Sequence, residues 1–326
     1  MRVLVTGGAG YIGSHVVRLL RDRGDDVTIV DDLETGDPGR VPGVDLISLR
    51  LDDTAAIDTL AATLAGHDAV IHFAARKRVD ESVRRPAWYY QQNVGGMANL
   101  LLAMEAADVP ALVFSSSAAV YGAAAGERLD ESTPTVPINP YGRTKLIGEQ
   151  MLDEARAATG LRAASLRYFN VAGAGRPELG DTAVLNLVPM VFEKLDQGLA
   201  PVIFGDDYPT PDGTCVRDYI HVTDLAEAHL AALDLVARAD EPRHHVFNIG
   251  TGRGSSVREM VDMILEVSGI DIEPVVAPRR AGDPAAVVAD PARARDELGW
   301  TARLTLRDIV ESAWESHTRF ANAANG

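Results

Sequence analysis

The chain has 326 residues, 46% of them apolar, and a formal charge of −16 at neutral pH. That length holds one large or two interlocked domains around a real core, and the negative surplus excludes sequence-independent binding to a nucleic-acid phosphate backbone. No apolar run approaches the roughly 20 residues that span a bilayer, and the chain opens directly on a strand pattern, so neither a membrane anchor nor a cleaved leader is expected. A single cysteine, Cys215, allows no internal disulfide and no cysteine-based metal cluster, which fits a reducing, cytoplasmic setting.

A first strand is expected over Val3 to Thr6. It runs straight into Gly7, Gly8, Ala9, Gly10, Tyr11, Ile12 and Gly13, which open a helix over Tyr11 to Arg23. Gly7 permits a tight turn, Gly10 lets backbone approach a pyrophosphate, and Gly13 lets helix and strand pack closely. The spacing is GxxGxxG rather than GxGxxG, and a purely structural glycine turn is the alternative. A second strand, Asp26 to Val30, ends at Asp31, whose carboxylate suits ribose hydroxyls and repels a 2′-phosphate. NAD is therefore expected in preference to NADP, with a capping or solvated aspartate as the plain alternative.

Further strands are expected over Leu46 to Leu49, Ala69 to Phe73, Ala111 to Ser115 and Ala163 to Phe169, with helices over Thr54 to Leu64, Ala87 to Ala107 and Pro140 to Thr159. Apolar strands alternating with helices specify an α/β protein with a doubly wound, Rossmann-like parallel sheet covered on both faces. After Asn170 the loops lengthen and become polar. The expected division is a dinucleotide domain at 1–169 and a smaller, interleaved substrate domain at 170–326, with a strand at Val246 to Ile249 returning to the first sheet.

Ser115, Ser116 and Ser117 follow an apolar strand, which places hydroxyls at the carboxyl end of a parallel sheet, where ligand crevices lie. Tyr141 begins the next helix behind Pro140, with Asn139 as a candidate cap. Lys145 stands four residues on, on the same helical face. The chain has 28 arginines and three lysines, so a lysine kept beside a tyrosine looks chosen for its chemistry. Free tyrosine has a pKa of about 10, and a neighbouring ammonium together with a cationic nicotinamide favours the phenolate, making Tyr141 a candidate general base. Ser117 is placed to bridge a substrate hydroxyl and Tyr141. His72 and His221 sit at apolar strand ends and read as core histidines. No His, Cys or carboxylate spacing suggests a metal.

The glycine turn, the serine strand and the Tyr-x-x-x-Lys pair resemble the extended short-chain dehydrogenase/reductases, and among them the UDP-hexose 4-epimerases. The likeness spans Gly7 to His15, Val70 to Phe73, Phe114 to Gly122, Arg167 to Asn170, Phe204 to Val222 and Ala277 to Asp283. Asp207 to Val222 is its most specific stretch.

The resemblance implies inversion of C4 in UDP-glucose and UDP-galactose through a 4-keto sugar. Ser117, Tyr141 and Lys145 are the implied catalytic set. Bound NAD is implied to rest on Gly7, Gly10, Tyr11, Ile12, Gly13, Asp31, Asp32, Phe73, Ala75, Lys77, Tyr141, Lys145 and Phe169. Ser117, Tyr141, Asn170, Asn186, Phe204, Arg217, Arg280, Asp283 and Val287 are implied to hold the UDP-sugar. Val287 matches a pocket-size gate at which a small residue implies tolerance of an N-acetyl group, and a homodimer is implied as well. Two departures qualify the likeness: Arg50, Leu51, Asp52 and Asp53 replace a Gly-Asp pair that contacts adenine, and Val287 stands at the gate where tyrosine goes with unacetylated sugars. A uronic-acid epimerase, a non-catalytic NAD-binding regulator and a 4,6-dehydratase are the alternatives, the last disfavoured because Ala118 and Ala119 stand where 4,6-dehydratases carry an acid pair. Lys194 has no assigned role.

Overall fold

In a computed structural model, residues 1–124, 128–280 and 282–324 are described. The strands are β1 (Arg2–Thr6), β2 (Asp26–Asp31), β3 (Asp45–Ser48), β4 (Ala69–His72), β5 (Ala111–Ser115), β6 (Arg162–Tyr168), β7 (Asn170–Ala172), β8 (Val202–Phe204), β9 (Val216–His221), β10 (His244–Ile249), β11 (Gly254–Ser256), β12 (Val275–Ala277) and β13 (Ala286–Val287). The helices are α1 (Tyr11–Asp22), α2 (Ile57–Leu64), α3 (Val79–Arg84), α4 (Pro86–Tyr89), α5 (Gly96–Ala106), α6 (Pro140–Thr159), α7 (Leu187–Asp196), α8 (Val222–Arg238), α9 (Val257–Ser268), α10 (Ala292–Leu298) and α11 (Leu306–Ala324).

Seven strands form one sheet in the order β10-β6-β5-β4-β1-β2-β3, and every neighbouring pair is parallel. The side-chain alternation of each strand explains why both faces must be covered. Val3, Val5, Ile71 and Val113 pack with Val16, Leu20, Leu225 and Leu233 of α1 and α8. Leu4, Val70 and Leu112 face the other way, toward Leu60, Leu64, Leu100 and Leu152 of α2, α5 and α6. Strands buried on both faces are apolar throughout, which is why they were readable as continuous runs. The sheet order reverses between β1 and β4, and the crevice beyond their carboxyl ends is where such sheets bind ligands.

The helix expected over Ala87 to Ala107 is three pieces: α4, a π-helical segment Tyr90–Gly95, and α5. The cause is tertiary. Asn93 accepts from the Arg76 amide at 2.8 Å and donates to the Arg76 carbonyl and to Thr144 Oγ1, each at 3.0 Å, so the widened turn aims an amide inward at the crevice. Thr54–Ala56 is likewise a 3₁₀ turn before α2, fixed by Asp53, which accepts from the Ala55 amide at 2.9 Å.

Beyond β6 the chain builds smaller sheets. β9 pairs in parallel with β7 and β13 and antiparallel with β11, and β8 pairs with β12. Between these pieces the chain goes back to the large sheet, where β10 lies alongside β6 with Ile249 opposite Tyr168. Helices α7, α9 and α11 enclose a separate apolar cluster around Phe192, Ile203, Ile264 and Ile309.

Candidate cofactor and catalytic site

The glycine turn is shaped by contacts that leave no space for side chains. Gly7 has φ +68°, and a Cβ there would stand 2.7 Å from the Ala74 amide; one on Gly13 would stand 2.3 Å from the Gly7 carbonyl. Gly10 heads α1 with no side chain on its first turn of amides. Those amides face a cleft lined by Gly7, Gly10, Tyr11, Ile12, Gly13, Asp31, Asp32, Phe73, Ala75, Lys77, Tyr141 and Lys145. A backbone cradle at a helix N-terminus, where the dipole favours negative charge, fits a pyrophosphate.

Asp31 is buried at the tip of β2. Its carboxylate accepts from the amides of Ala9 at 3.0 Å and Leu33 at 2.9 Å, which leaves lone pairs free for hydroxyls. Burial raises its pKa, and the two amides work against that rise. Asp32 is paired with Arg76 at 2.5 Å. Beyond β3, Leu49, Leu51 and Asp52 line the same cleft, with Asp52 held by Gln92 at 2.5 Å and Arg50 at 2.9 Å. Leu51 and Asp52, two of the residues that replace the Gly-Asp pair, thus still form a wall of the cleft beside Leu49.

Asn139 caps α6 by accepting from the Gly142 amide at 2.8 Å, with Pro140 in the first turn. The cap fixes where the helix begins, and so points Tyr141 and Lys145 into the cleft one turn apart. Lys145 is buried, donates to the Ser115 carbonyl at 2.7 Å and lies over the Phe114 ring at 4.9 Å. Burial lowers its pKa to about 7, and Glu149 one turn further along pulls it back up. Tyr141 moves the opposite way: burial pushes the phenol well above its ordinary value, Tyr168 adds to this, and the Ser117 hydroxyl opposes it. Ser117 also caps the turn Ala118–Tyr121, accepting from the Ala119 amide at 3.1 Å.

Behind Lys145 lies a buried polar chain. Ser116 donates to Glu149 at 2.5 Å, Glu149 takes a forked ion pair from Arg167 at 2.6 and 3.0 Å, Arg167 donates to Tyr121 at 3.0 Å, and Tyr121 donates to Asn248 at 2.7 Å. His72 bonds Thr6 at 2.7 Å, and burial lowers its pKa to about 3. His221 caps α8, accepting from the Thr223 amide at 3.0 Å. Both are satisfied histidines within the fold, as read from the sequence.

Of the residues assigned to substrate, Asn170, Phe204, Arg217, Arg280, Asp283 and Val287 lie on or beside β7, β8, β9 and β13, whereas Ser117 and Tyr141 stand just beyond β5 and on α6, and Asn186 at α7. Arg217 donates to the carbonyls of Val216 and Pro284 at 2.8 and 2.9 Å and lies 3.7 Å from Asp283. Val287 pairs in register with Arg217, and Asn170 with Tyr219. The Arg280 guanidinium stacks 3.9 Å over the Phe204 ring. Asn186 heads α7 and donates to Asp181 at 3.1 Å. Phe169 packs with Val120, Tyr121, Leu129 and Ala289, and Val287 lies against that cluster. Tyr168, its neighbour, is the one that lines the cofactor cleft. Tyr168, Asn93 and Arg40 went unnoticed in the sequence. Tyr168 had a usable signal in its place at the carboxyl end of a parallel strand, whereas the other two depend on tertiary contacts. No group of residues able to hold a metal occurs among the described residues, and no described helix is long and apolar enough to cross a membrane.

The family model for the NAD dependent epimerase/dehydratase family matches residues 3–250. The chain is 46% identical to a UDP-glucose 4-epimerase of Corynebacterium glutamicum, over 96% of this chain and 95% of that one. It superposes with TM-score 0.93 and 41% identity on a UDP-glucose 4-epimerase of Stenotrophomonas maltophila solved with NAD and formylated UDP-arabinopyranose, covering 99% of each chain. A UDP-Glc/GlcNAc 4-epimerase of Campylobacter jejuni matches with TM-score 0.85 and 36% identity over 98% of this chain and 99% of that one.

Proposed function

The chain belongs to the NAD dependent epimerase/dehydratase family, and from that premise we propose that it is an isomerase that inverts C4 of UDP-hexoses, interconverting UDP-glucose and UDP-galactose with NAD retained between turnovers. The observation that carries this reading is the buried Tyr141 and Lys145 pair on one face of α6, opening into a cleft whose glycine cradle and Asp31 fit a dinucleotide. Bound NAD supplies a hydride acceptor that can also give the hydride back.

The chain's own residues do the rest. The Tyr141 oxygen takes the proton of the sugar 4-hydroxyl as the 4-keto sugar forms, and returns it when the opposite face is reduced. Protein burial alone disfavours the phenolate, so proton transfer needs the positive charge of the oxidised cofactor and of Lys145 close by. Lys145, tethered at the Ser115 carbonyl, would orient the cofactor ribose and, in its protonated form, would add positive charge beside Tyr141. Ser117 donates to the reacting oxygen. Arg217 and Arg280 grip the pyrophosphate, with Phe204 and Asp283 on the uridine side and Asn170 and Asn186 as amide contacts. Charge-assisted bonds concentrated at one end leave the hexose free to turn and present its other face.

Ala118 and Ala119 bring no acid to the turn beside Ser117, which argues against elimination of water across C5 and C6. Val287, small and partly buried beside Arg217, supports acceptance of the N-acetylated pair. For assembly we propose a homodimer through α5 and α6, whose groove is lined by Leu101, Leu102 and Met151 with Leu102 52% exposed, and for location the cytoplasm. The test is incubation of purified protein with UDP-galactose and no added NAD. UDP-glucose should appear. Protein that carries NAD yet turns nothing over would point to a regulator, and a 4-keto-6-deoxy product to a dehydratase.

A further inference from the structure

Arg40 is the cation in this cleft whose placement the reading above leaves unexplained. It ends the short turn Pro38–Arg40, which is itself fixed to the glycine loop: the Asp37 amide donates to the Ala9 carbonyl at 3.0 Å, and the Asp37 carboxylate accepts from the Gly39 amide at 2.8 Å. From there the side chain crosses to the loop before α7, where Nη2 donates to the Gly180 carbonyl at 2.7 Å and approaches Thr182 Oγ1 at 3.4 Å. The other nitrogen, Nη1, is buried and has no acceptor among the described residues.

A guanidinium cannot shed its charge, and a buried N–H left without a partner costs about 1–3 kcal/mol. The carboxylates of Asp181 and Asp37 favour its charge through space but accept no hydrogen bond from it: Asp181 accepts from the Ala183 amide and Asn186, each at 3.1 Å, and Asp37 is taken up by its own turn. Arg40 forms no ion pair within 4 Å among the described residues, unlike Arg76, which also lines the cleft and pairs with Asp32. Meanwhile Arg40, Gly10, Tyr11 and Ile12 line the same cleft. The positive end of α1 and a permanent cation therefore converge on one space, and although Asp181 lines it too, the unpartnered Nη1 and the helix dipole together favour an anion between them.

We propose that Arg40 is a cofactor clamp: anchored through Nη2 on Gly180, it donates from Nη1 to the pyrophosphate of the bound dinucleotide. The loop after β2 and the loop before α7 are then joined through the ligand itself. Tyr11, donating to the Gly173 carbonyl at 2.6 Å, makes a second tie between the same two regions. The clamp explains how a chain of charge −16 retains the dianionic pyrophosphate of its cofactor against its own field. It rests on the NAD reading above.

The test compares wild type with Arg40→Met, which keeps the apolar stem, and Arg40→Lys, which keeps the charge but loses the fork. Protein loaded with radiolabelled NAD is diluted into excess unlabelled NAD, and release is followed by filtration; binding of ADP-ribose and of adenosine is measured by thermal shift. Arg40→Met should release NAD on the order of tenfold to a hundredfold faster, the range expected for losing a hydrogen bond to a charged group. It should also bind ADP-ribose more weakly while binding adenosine as wild type does, with Arg40→Lys in between. Unchanged release overturns the clamp. So does an equal loss for adenosine, which would mean that Arg40 only seats its loop. Wild type that takes up no dinucleotide sinks the NAD reading and the clamp together.

Discussion

The joint placement of Tyr141 and Lys145 on the cleft was legible because it is encoded locally: a helix places positions four apart on one face, and the scarcity of lysine singles out Lys145. Their electrostatics were not legible. Burial moves the phenol up and the ammonium down, both away from the charged pair that spacing alone suggests. In the proposed mechanism, a base that is poor in the resting protein and improves when a cation arrives beside it would confine proton abstraction to the loaded site. The role proposed for Val287 rests on size: it packs against the cluster that includes Tyr121 and Phe169, in register with Arg217, so a larger residue there narrows the space beside Arg217. Val287→Tyr should cut turnover of UDP-N-acetylgalactosamine relative to UDP-galactose by about tenfold or more, since overfilling a packed site costs about 1–3 kcal/mol. An unchanged ratio of the two activities, measured by separating the epimer products, would remove Val287 from the specificity wall.

At the scale of elements, α6 does two jobs on one face, because Tyr141, Lys145 and Glu149 follow one another at successive turns. The first two meet the cleft. Glu149 turns to Arg167 of β6 and Ser116 beyond β5, and through Tyr121 the chain of bonds reaches Asn248 of β10. Arg167→Met leaves Glu149 buried without its cation, a loss of about 3–5 kcal/mol. It should lower Tm by roughly 5–10 °C, and adding Glu149→Gln should recover part of that. A single variant that melts with wild type would show that the pair does not support the wall. The main strands and α6 were readable to within a residue or so, since buried parallel strands are continuous apolar runs and Asn139 with Pro140 marks a helix start. The π-helical turn was not, because it exists to satisfy Asn93 against Arg76 and Thr144, residues distant in sequence. Strands β8, β12 and β13, two or three residues long, have no periodicity to read. Arg40 stayed hidden for a related reason, as its partner Gly180 lies 140 positions away.

For the whole molecule, the balance of buried ionisable groups sets how stability follows pH. Burial lowers the pKa of His72 to about 3 and of His15 and His229 to about 4. Above pH 6.5 these are neutral folded and unfolded alike. As pH falls below that value the unfolded chain binds protons that the folded chain refuses, so stability is lost, at about 1.4 kcal/mol per pH unit for each histidine once the unfolded form is fully charged. Asp31, Asp218 and Glu131, whose pKa values burial raises, bind protons in the folded state first and offset part of this loss. Lys145 carries the same sense to higher pH. With a folded pKa of about 7 against an ordinary 10.5, it adds stability as pH rises between those values. The limit comes near pH 10, where the unfolded chain's tyrosines ionise and those the fold buries, Tyr141 and Tyr168 among them, resist. Few competing charges change in this window, because the chain has three lysines and its 28 arginines stay protonated. Urea midpoints at constant ionic strength should therefore climb from pH 5 to a maximum between about pH 8 and 10, above the pH 5–8 range usual for proteins. Lys145→Met should flatten the climb above pH 7 and leave the acid limb unchanged. A wild-type profile that peaks near pH 6 would mean that the buried histidines and Lys145 keep their charges on folding.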